Sequence, residues 1–233
     1  MTNPIETQIV AMGGGGFSME PDNPALDQFV LGLARRENPS VCFLATASGD
    51  AESYIDSFYA AFRQLPCRPT HVPLFARTPD LTTVLLEQDV IYVGGGNTKS
   101  MLAVWREWEI PPLLRRAWES GTVLAGVSAG AICWFETLLT DSSGTGLFPL
   151  AGLGLLPGAC CPHYDGEVER RPALHRLIEQ GTIASALALD DGAAAHFING
   201  QLANIVSSRP HARAYKVERV NGQATETVLN PDT

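Results

Sequence analysis

The stretch LAGVSAGAICWF, residues 124–135, sets Gly126-Val127-Ser128-Ala129-Gly130 between two apolar runs. A serine flanked by small residues fills a core poorly. It is well suited to hold a hydroxyl in the open at a sharp turn. Residues 122–127 read as a strand and 129–137 as a helix. Gly126-x-Ser128-x-Gly130 therefore stands in the strand–turn–helix context of a nucleophile elbow. The flanking glycines fit because a side chain in so tight a turn would strike the neighbouring strand or helix. The simpler reading, that Ser128 only caps the following helix, leaves Gly126 and Gly130 without a reason.

Working outward, the same rhythm repeats. Strands are expected at 8–12, 40–46, 88–93 and 122–127, with a weaker one at 70–75. Helical spacing marks 24–36, 53–64, 80–87 (with Asp80 as its cap), 98–108 and 111–120, the last two separated by Pro111-Pro112. The strands are apolar throughout and do not alternate, which suits a parallel sheet covered on both faces. The fold class expected is α/β, a doubly wound, mostly parallel sheet. Residues 141–158 read as a Gly- and Pro-rich loop with at most one short strand. Beyond it, 167–180 reads as a helix and 184–190 as a strand. Short β-like runs at 194–198, 202–206, 213–218 and 225–229, with Asn-Gly at 199–200 and 221–222, predict two hairpins near the C-terminus. The 233 residues are read as a single α/β domain, 1–233.

Composition removes several function classes. The net charge is −9 and no basic run occurs, so no nucleic acid is expected as a partner. An acidic surface also argues against anionic membranes, and no apolar segment reaches a membrane-spanning length. The five cysteines, at 42, 67, 133, 160 and 161, are irregularly spaced. They read as reduced, mostly buried thiols and not as a disulfide framework. With no secretory pattern at the start, the expected location is cytoplasmic. No metal-ligand spacing is present, and no cofactor is expected.

In open α/β sheets, ligands bind at the carboxyl ends of the strands, where Ser128 falls. A serine nucleophile needs a base. His163, in Cys161-Pro162-His163-Tyr164-Asp165, follows an apolar run and precedes a polar loop, so it is read as the base. His175 falls inside a helical pattern and His196 in a β-like run. His71 precedes a strand, and His211 follows a proline in a polar loop. The orienting acid stays open between Asp191, at the strand end Asp190-Asp191-Gly192, and Asp141, after the apolar run beyond the elbow. The amide of Ala129 would point at a substrate oxyanion from the first helical turn. Gly94-Gly95-Gly96, ending a strand, would also suit a phosphate. However, GxGxxG is absent and Lys99 is misplaced for a P-loop. Close backbone approach to a substrate carbonyl fits better. Gly13–Gly16 ends another strand and is read either as lining the same cleft, the preferred reading, or as a plain flexible turn.

Val93-Gly94-Gly95-Gly96-Asn97-Thr98, Gly126-Val127-Ser128-Ala129-Gly130-Ala131, Pro162-His163-Tyr164 and Asp191-Gly192 together resemble the peptidase E family of serine peptidases. These are aspartyl dipeptidases, with the cyanophycinases as relatives. The resemblance runs from about residue 88 to about 200. It implies a fold like that of class I glutamine amidotransferases, with serine in place of their elbow cysteine. It also implies a Ser–His–Glu or Ser–His–Asp catalytic group. Ser128 matches the family nucleophile and His163 the base. Asp191 stands where peptidase E carries a glutamate followed by glycine. Asp141 matches an aspartate near the family's active site. By the same resemblance Gly95 and Gly96 complete the oxyanion hole with Ala129, while Asn97, Thr98 and Arg170 bind substrate, the arginine recognising an N-terminal aspartate. The implied activity is hydrolysis of short peptides, including Asp-X dipeptides, through an acyl-enzyme. The implied assembly is a homodimer. A cyanophycinase-like enzyme, an esterase with the order Ser128, Asp141, His163, and a non-enzymatic binding domain are the alternative readings.

Overall fold

A computed structural model describes residues 5–144 and 146–229. The outer ends of the expected 1–233 unit, and Thr145 of the 141–158 loop, lie outside those residues. In chain order the elements are β1 (Gln8–Met12), α1 (Ala25–Gly32), β2 (Ser40–Leu44), α2 (Glu52–Phe62), β3 (Arg68–His71), α3 (Leu81–Leu86), β4 (Val90–Val93), α4 (Thr98–Glu107), α5 (Ile110–Glu119), β5 (Val123–Val127), α6 (Ala129–Ile132), β6 (Phe135–Thr140), β7 (Phe148–Ala151), β8 (Leu156–Cys161), α7 (Arg170–Glu179), β9 (Ser185–Leu189), β10 (Ala193–Ile198), β11 (Gln201–Ser207), β12 (Ala214–Val220) and β13 (Gln223–Leu229).

The apolar strands of the first half form a seven-stranded sheet in the order β11-β10-β1-β5-β4-β2-β3. The β1–β5, β5–β4, β4–β2 and β2–β3 pairings are parallel. Alternate residues of each strand face opposite sides, as the two-residue period of a strand requires. Val10, Met12, Val41, Phe43, Tyr92 and Val127 pack on the α1 and α2 side. Ile9, Ala11, Cys42, Leu44, Ile91, Val93 and Leu124 pack on the side carrying α3, α4 and α5. That double covering is why these strands read as unbroken apolar runs. Local signals set the helix ends. The Asp80 carboxylate accepts from Thr82 N–H (3.3 Å) and Thr83 N–H (3.4 Å) at the start of α3, and Pro111-Pro112 sits in the first turn of α5.

The structure departs from the sequence expectation beyond the elbow. The helix expected over 129–137 is a single turn, α6, and Phe135 begins β6. The reason is a change of period: Leu138 packs into the apolar cluster on the α3, α4 and α5 side and Leu139 into a third cluster. The 141–158 stretch contains β7 and the start of β8 in place of one short strand, and the weak strand expected at 70–75 runs over 68–71. The later strands do not all join one sheet. β6, β7, β8, β9, β12 and β13 form a second, six-stranded sheet in the order β13-β12-β9-β8-β6-β7, backed by α7. Both hairpins form, one at the edge of each sheet. Asn199 and Asn221 take φ 51° before Gly200 and Gly222, the geometry that Asn-Gly hairpin turns favour.

The register of the first sheet gathers the loops of interest. Met12 is level with Val127 across β1–β5, and Val93 with Gly126 across β4–β5. Gly13, Ser128 and Gly94 therefore leave three adjacent parallel strands at the same edge. Met12 is also level with Ala194 on antiparallel β10, so the Asp190–Gly192 turn arrives beside Gly13. Among the described residues, no helix is long and apolar enough to cross a membrane, and all five cysteines are free thiols.

Candidate active site

Ser128 has φ 56° and ψ −115°, a conformation that a residue bearing a side chain adopts only when its surroundings enforce it. The enforcement is visible. Ser128 N–H donates to Met12 O at 3.0 Å. A Cβ on Gly126 would run into the carbonyl of Gly130, and one on Gly130 into the carbonyl of Val93. Both motif glycines are thus required by close backbone approach at the turn. The Ser128 side chain makes no capping hydrogen bond to α6. Its carbonyl instead accepts from Ala131 N–H (2.9 Å) and Ile132 N–H (3.1 Å). The hydroxyl is left half-buried at the strand end.

Three successive carbonyls at the end of β1 organise the rest. Met12 O accepts from Ser128 N–H, Gly13 O from His163 N–H at 3.2 Å, and Gly14 O from Gly192 N–H at 3.0 Å. The Met12–Gly14 backbone is thus a common anchor for the turns that carry the serine, the histidine and the aspartate. His163, at φ 52°, is turned inward. Its Nδ1 lies 2.6 Å from Asp191 Oδ1, with the two side chains 13% and 12% exposed. Asp191 N–H is fixed in turn by Asp165 Oδ1 at 2.8 Å. In a neutral ring, donation of Nδ1–H to this carboxylate leaves the lone pair on Nε2, the arrangement a general base needs.

Asp141 lies elsewhere. Its exposed carboxylate is 3.6 Å from Arg170 Nη2, and the carboxylate on His163 is that of Asp191. Arg170 itself is buried. Its Nε donates to Glu167 Oε2 at 2.6 Å and its Nη1 to Leu139 O at 3.4 Å. Its guanidinium is therefore engaged by the chain itself and does not project into open space. Asn97 and Thr98 also serve the local fold. Asn97 Oδ1 caps α4 through Ser100 N–H (2.9 Å), and its Nδ2 donates to Ser142 O (3.1 Å). Thr98 is buried in the first turn of α4.

The amides near Ser128 divide into used and free. Gly94 N–H donates to Leu44 O (3.0 Å) and Asn97 N–H to Ala47 O (2.7 Å). Gly95 N–H donates to Tyr54 Oη at 3.1 Å. Among the described residues, no acceptor is found for the N–H groups of Gly96 and Ala129. A Cβ on Gly95 would sit 3.2 Å from Ser128 Cβ and 3.6 Å from its Oγ, so Gly95 lies against the serine side chain. Of the three expected oxyanion donors, Gly95 is already committed, while Gly96 and Ala129 remain open.

Two buried acids back the site. Asp27 receives the Tyr92 hydroxyl at 3.0 Å, and burial, opposed by that hydrogen bond, pushes it up to about 6. Burial, reinforced by the neighbouring Asp165 charge, raises Asp190 to about 6 as well. Burial also holds the thiols up, Cys67 to about 11 and Cys161 to about 12, so neither is poised as a thiolate. Tyr54 and Asp27 escape a motif-based reading because each makes its contact with a residue distant in sequence. The one available signal for Tyr54 is its place near the start of a helix on the sheet face nearest the glycines.

Comparison with known proteins bears on the family and the fold. The model of the family described as Peptidase family S51 matches residues 9–205. A Bacillus subtilis (strain 168) protein described as "Uncharacterized peptidase YgaJ" is 55% identical over 223 residues, covering 95% of this chain and 96% of that one. Peptidase E of Pasteurella multocida is 32% identical over 133 residues, 53% of this chain and 56% of its own. The crystal structure of a peptidase from an acI-B1 actinobacterium shares the fold, with a TM-score of 0.74 at 17% identity over 100% of this chain and 97% of the other.

Proposed function

We propose, for a chain that belongs to peptidase family S51, that it is a serine exopeptidase hydrolysing short peptides, dipeptides first among them, through an acyl-enzyme. The observation that carries this reading is the 2.6 Å His163–Asp191 contact, held on the same β1 end that holds the strained Ser128.

On this reading His163 Nε2 takes the proton of Ser128 Oγ as the oxygen attacks the scissile carbonyl. The Gly96 and Ala129 amides receive the oxyanion, a contribution of about 3 kcal/mol per donor in such sites. Asp191 holds the imidazole tautomer and stabilises the imidazolium. Collapse of the tetrahedral intermediate expels the amine, which takes the proton from His163. Water, deprotonated by His163, then clears the acyl group from Ser128. Gly95 and Asp141 take no chemical part here, the first because Tyr54 occupies its amide and the second because it faces Arg170.

Substrate choice rests on the resemblance alone. The Asp-X preference it implies depends on Arg170, whose guanidinium is here taken up by Glu167, Leu139 O and Asp141. An acidic N-terminal residue therefore has no free partner in Arg170, and the proposed substrates are short peptides without that selectivity. The test is hydrolysis of a panel of Asp-X, Pro-X and Ala-X dipeptides by the wild type and Ser128→Ala. Cleavage of at least one class that the alanine variant abolishes supports the peptidase. A wild type that cuts esters and no peptide moves the esterase reading ahead. The homodimer stays part of the proposal, and light scattering on the full chain reads it.

A further inference from the structure

One amide in the run Gly94–Asn97 is spent in an unusual way. Gly94 and Asn97 donate to backbone carbonyls of the neighbouring strand end and turn, as a loop leaving a parallel sheet commonly does. Gly95 instead donates to the hydroxyl of a side chain, Tyr54, 41 residues away. The adjacent amide, Gly96, has no acceptor among the described residues.

Tyr54 is built to stay where it is. It stands in the first turns of α2, with its ring stacked on Phe17 (centroids 5.5 Å apart, planes 28°) and edge-on to Phe43 (5.2 Å, 84°). Phe17 belongs to the turn that follows the Gly13–Gly16 run, so the same ring touches both glycine loops of the site. A Cβ on Gly94 would fall 2.8 Å from the tyrosine ring, so the glycine run lies flat against it. Burial, partly offset by the Gly95 hydrogen bond, keeps the phenol protonated. A neutral phenol can accept the Gly95 N–H without bringing a second anion to a site that must stabilise one.

Three glycines in a row have no side chains to fix the rotation of their peptides. Something must hold the Gly95–Gly96 peptide so that its N–H points at the carbonyl oxygen above Ser128. We propose that Tyr54 is a positioning residue for the oxyanion hole: by taking the Gly95 amide it fixes the following peptide, and so aims Gly96 N–H at the developing oxyanion. It acts on the reacting atoms through Gly95. The inference rests on the serine-peptidase reading above and adds a component that the glycine motif does not contain.

The consequence is selective. Loss of the hydroxyl should weaken binding of the tetrahedral state and leave binding of the ground state alone. Tyr54→Phe keeps the ring and its stacking but removes the acceptor. The experiment compares the wild type, Tyr54→Phe and Ser128→Ala on the dipeptide of the panel that is cut best, and on an activated acyl ester. It also measures inhibition by a peptide aldehyde, which forms a tetrahedral adduct, and by an uncleavable substrate analogue. The expected result for Tyr54→Phe is a fall in kcat of about 10-fold to 100-fold, with KM within about twofold. Aldehyde affinity should fall in proportion to kcat/KM while affinity for the analogue is kept, at an unchanged melting temperature. A Tyr54→Phe enzyme with wild-type kcat overturns the inference and leaves the peptidase reading standing. Equal loss of aldehyde and analogue affinity also overturns it, because Tyr54 would then shape the cleft in general. A wild type inert toward both peptides and ester overturns the peptidase reading, and this inference falls with it.

Discussion

The Asp191 carboxylate occupies the space that a side chain on Gly14 would need: a Cβ built there overlaps Oδ1 and falls 2.8 Å from Cγ and 3.0 Å from His163 Nδ1. The absence of a side chain at Gly14 is thus part of how the acid and the imidazole meet. Gly14→Ala should push Asp191 off His163 while leaving the sheet intact. The expected effect is a loss of kcat/KM of about 10²-fold, the scale of a misplacement near 1 Å, with circular dichroism unchanged. Wild-type turnover in Gly14→Ala would mean that the contact is not needed.

Asp191 and Asp141 are separated by the same chemistry. Asp191→Asn removes the acceptor that sets the His163 tautomer, and kcat should fall by about 10⁴-fold, as in serine triads generally. Asp141→Asn touches only the exposed pairing with Arg170, and activity should stay within a few-fold. Steady-state kinetics on both variants decide between the two acids. Equal losses would show that both belong to the catalytic group.

Arg170 is expected to act on stability and not on selectivity. Its side chain is 5% exposed and spans Glu167, Leu139 O and Asp141. Arg170→Met should lower stability by about 1–3 kcal/mol, the scale of leaving buried polar groups unpaired. It should leave the ratio of Asp-X to Ala-X hydrolysis unchanged. Urea denaturation and the dipeptide panel measure the two effects, and a selective loss of Asp-X cleavage would restore Arg170 as a substrate ligand.

Asp27 sets a pH dependence. Its carboxyl is raised from 3.8 to about 6 by burial, so the folded state holds its proton more tightly than the unfolded chain does. The cost of ionising it in place is absent below about pH 4, grows as pH rises toward 6, and is constant above that. Its full size is on the order of 3 kcal/mol. Asp27→Asn escapes this cost, so its stability relative to the wild type should be greater at pH 7 than at pH 4. Denaturation at the two pH values tests this, and a difference that does not change with pH would contradict it.

Much of the first sheet was legible because its signals are local. Unbroken apolar runs that end in glycine mark strands covered on both faces, and Asp80 announces the start of α3. The elbow was legible for the same reason, since the glycines that flank Ser128 stand within two residues of it, although the carbonyl that excludes a side chain at Gly130 comes from Val93 on the next strand. The second sheet was not. Ala131-Ile132-Cys133-Trp134-Phe135 is apolar with no period, so nothing in it marks where α6 stops and β6 begins. The partners that make β6 a strand, β7 and β8, lie beyond it in a Gly- and Pro-rich stretch. In the site, residue types at strand ends pointed to His163 and left Asp191 and Asp141 tied, because a carboxylate at a turn looks the same in either place. The tie between them is geometric, as is the role of Tyr54, and both depend on distances that only the folded chain defines.

The central claim, that Ser128 is the nucleophile activated by His163 and Asp191, is tested most directly by mapping a serine-directed covalent adduct. The full-length wild type, Ser128→Ala and Asp191→Asn are treated with a peptidyl phosphonate, and intact mass and the labelled peptide are followed over time. The expected result is one adduct per chain, on the peptide carrying Ser128, formed much more slowly in Asp191→Asn and not at all in Ser128→Ala. Labelling of another residue, or labelling of Ser128→Ala at the wild-type rate, would contradict it.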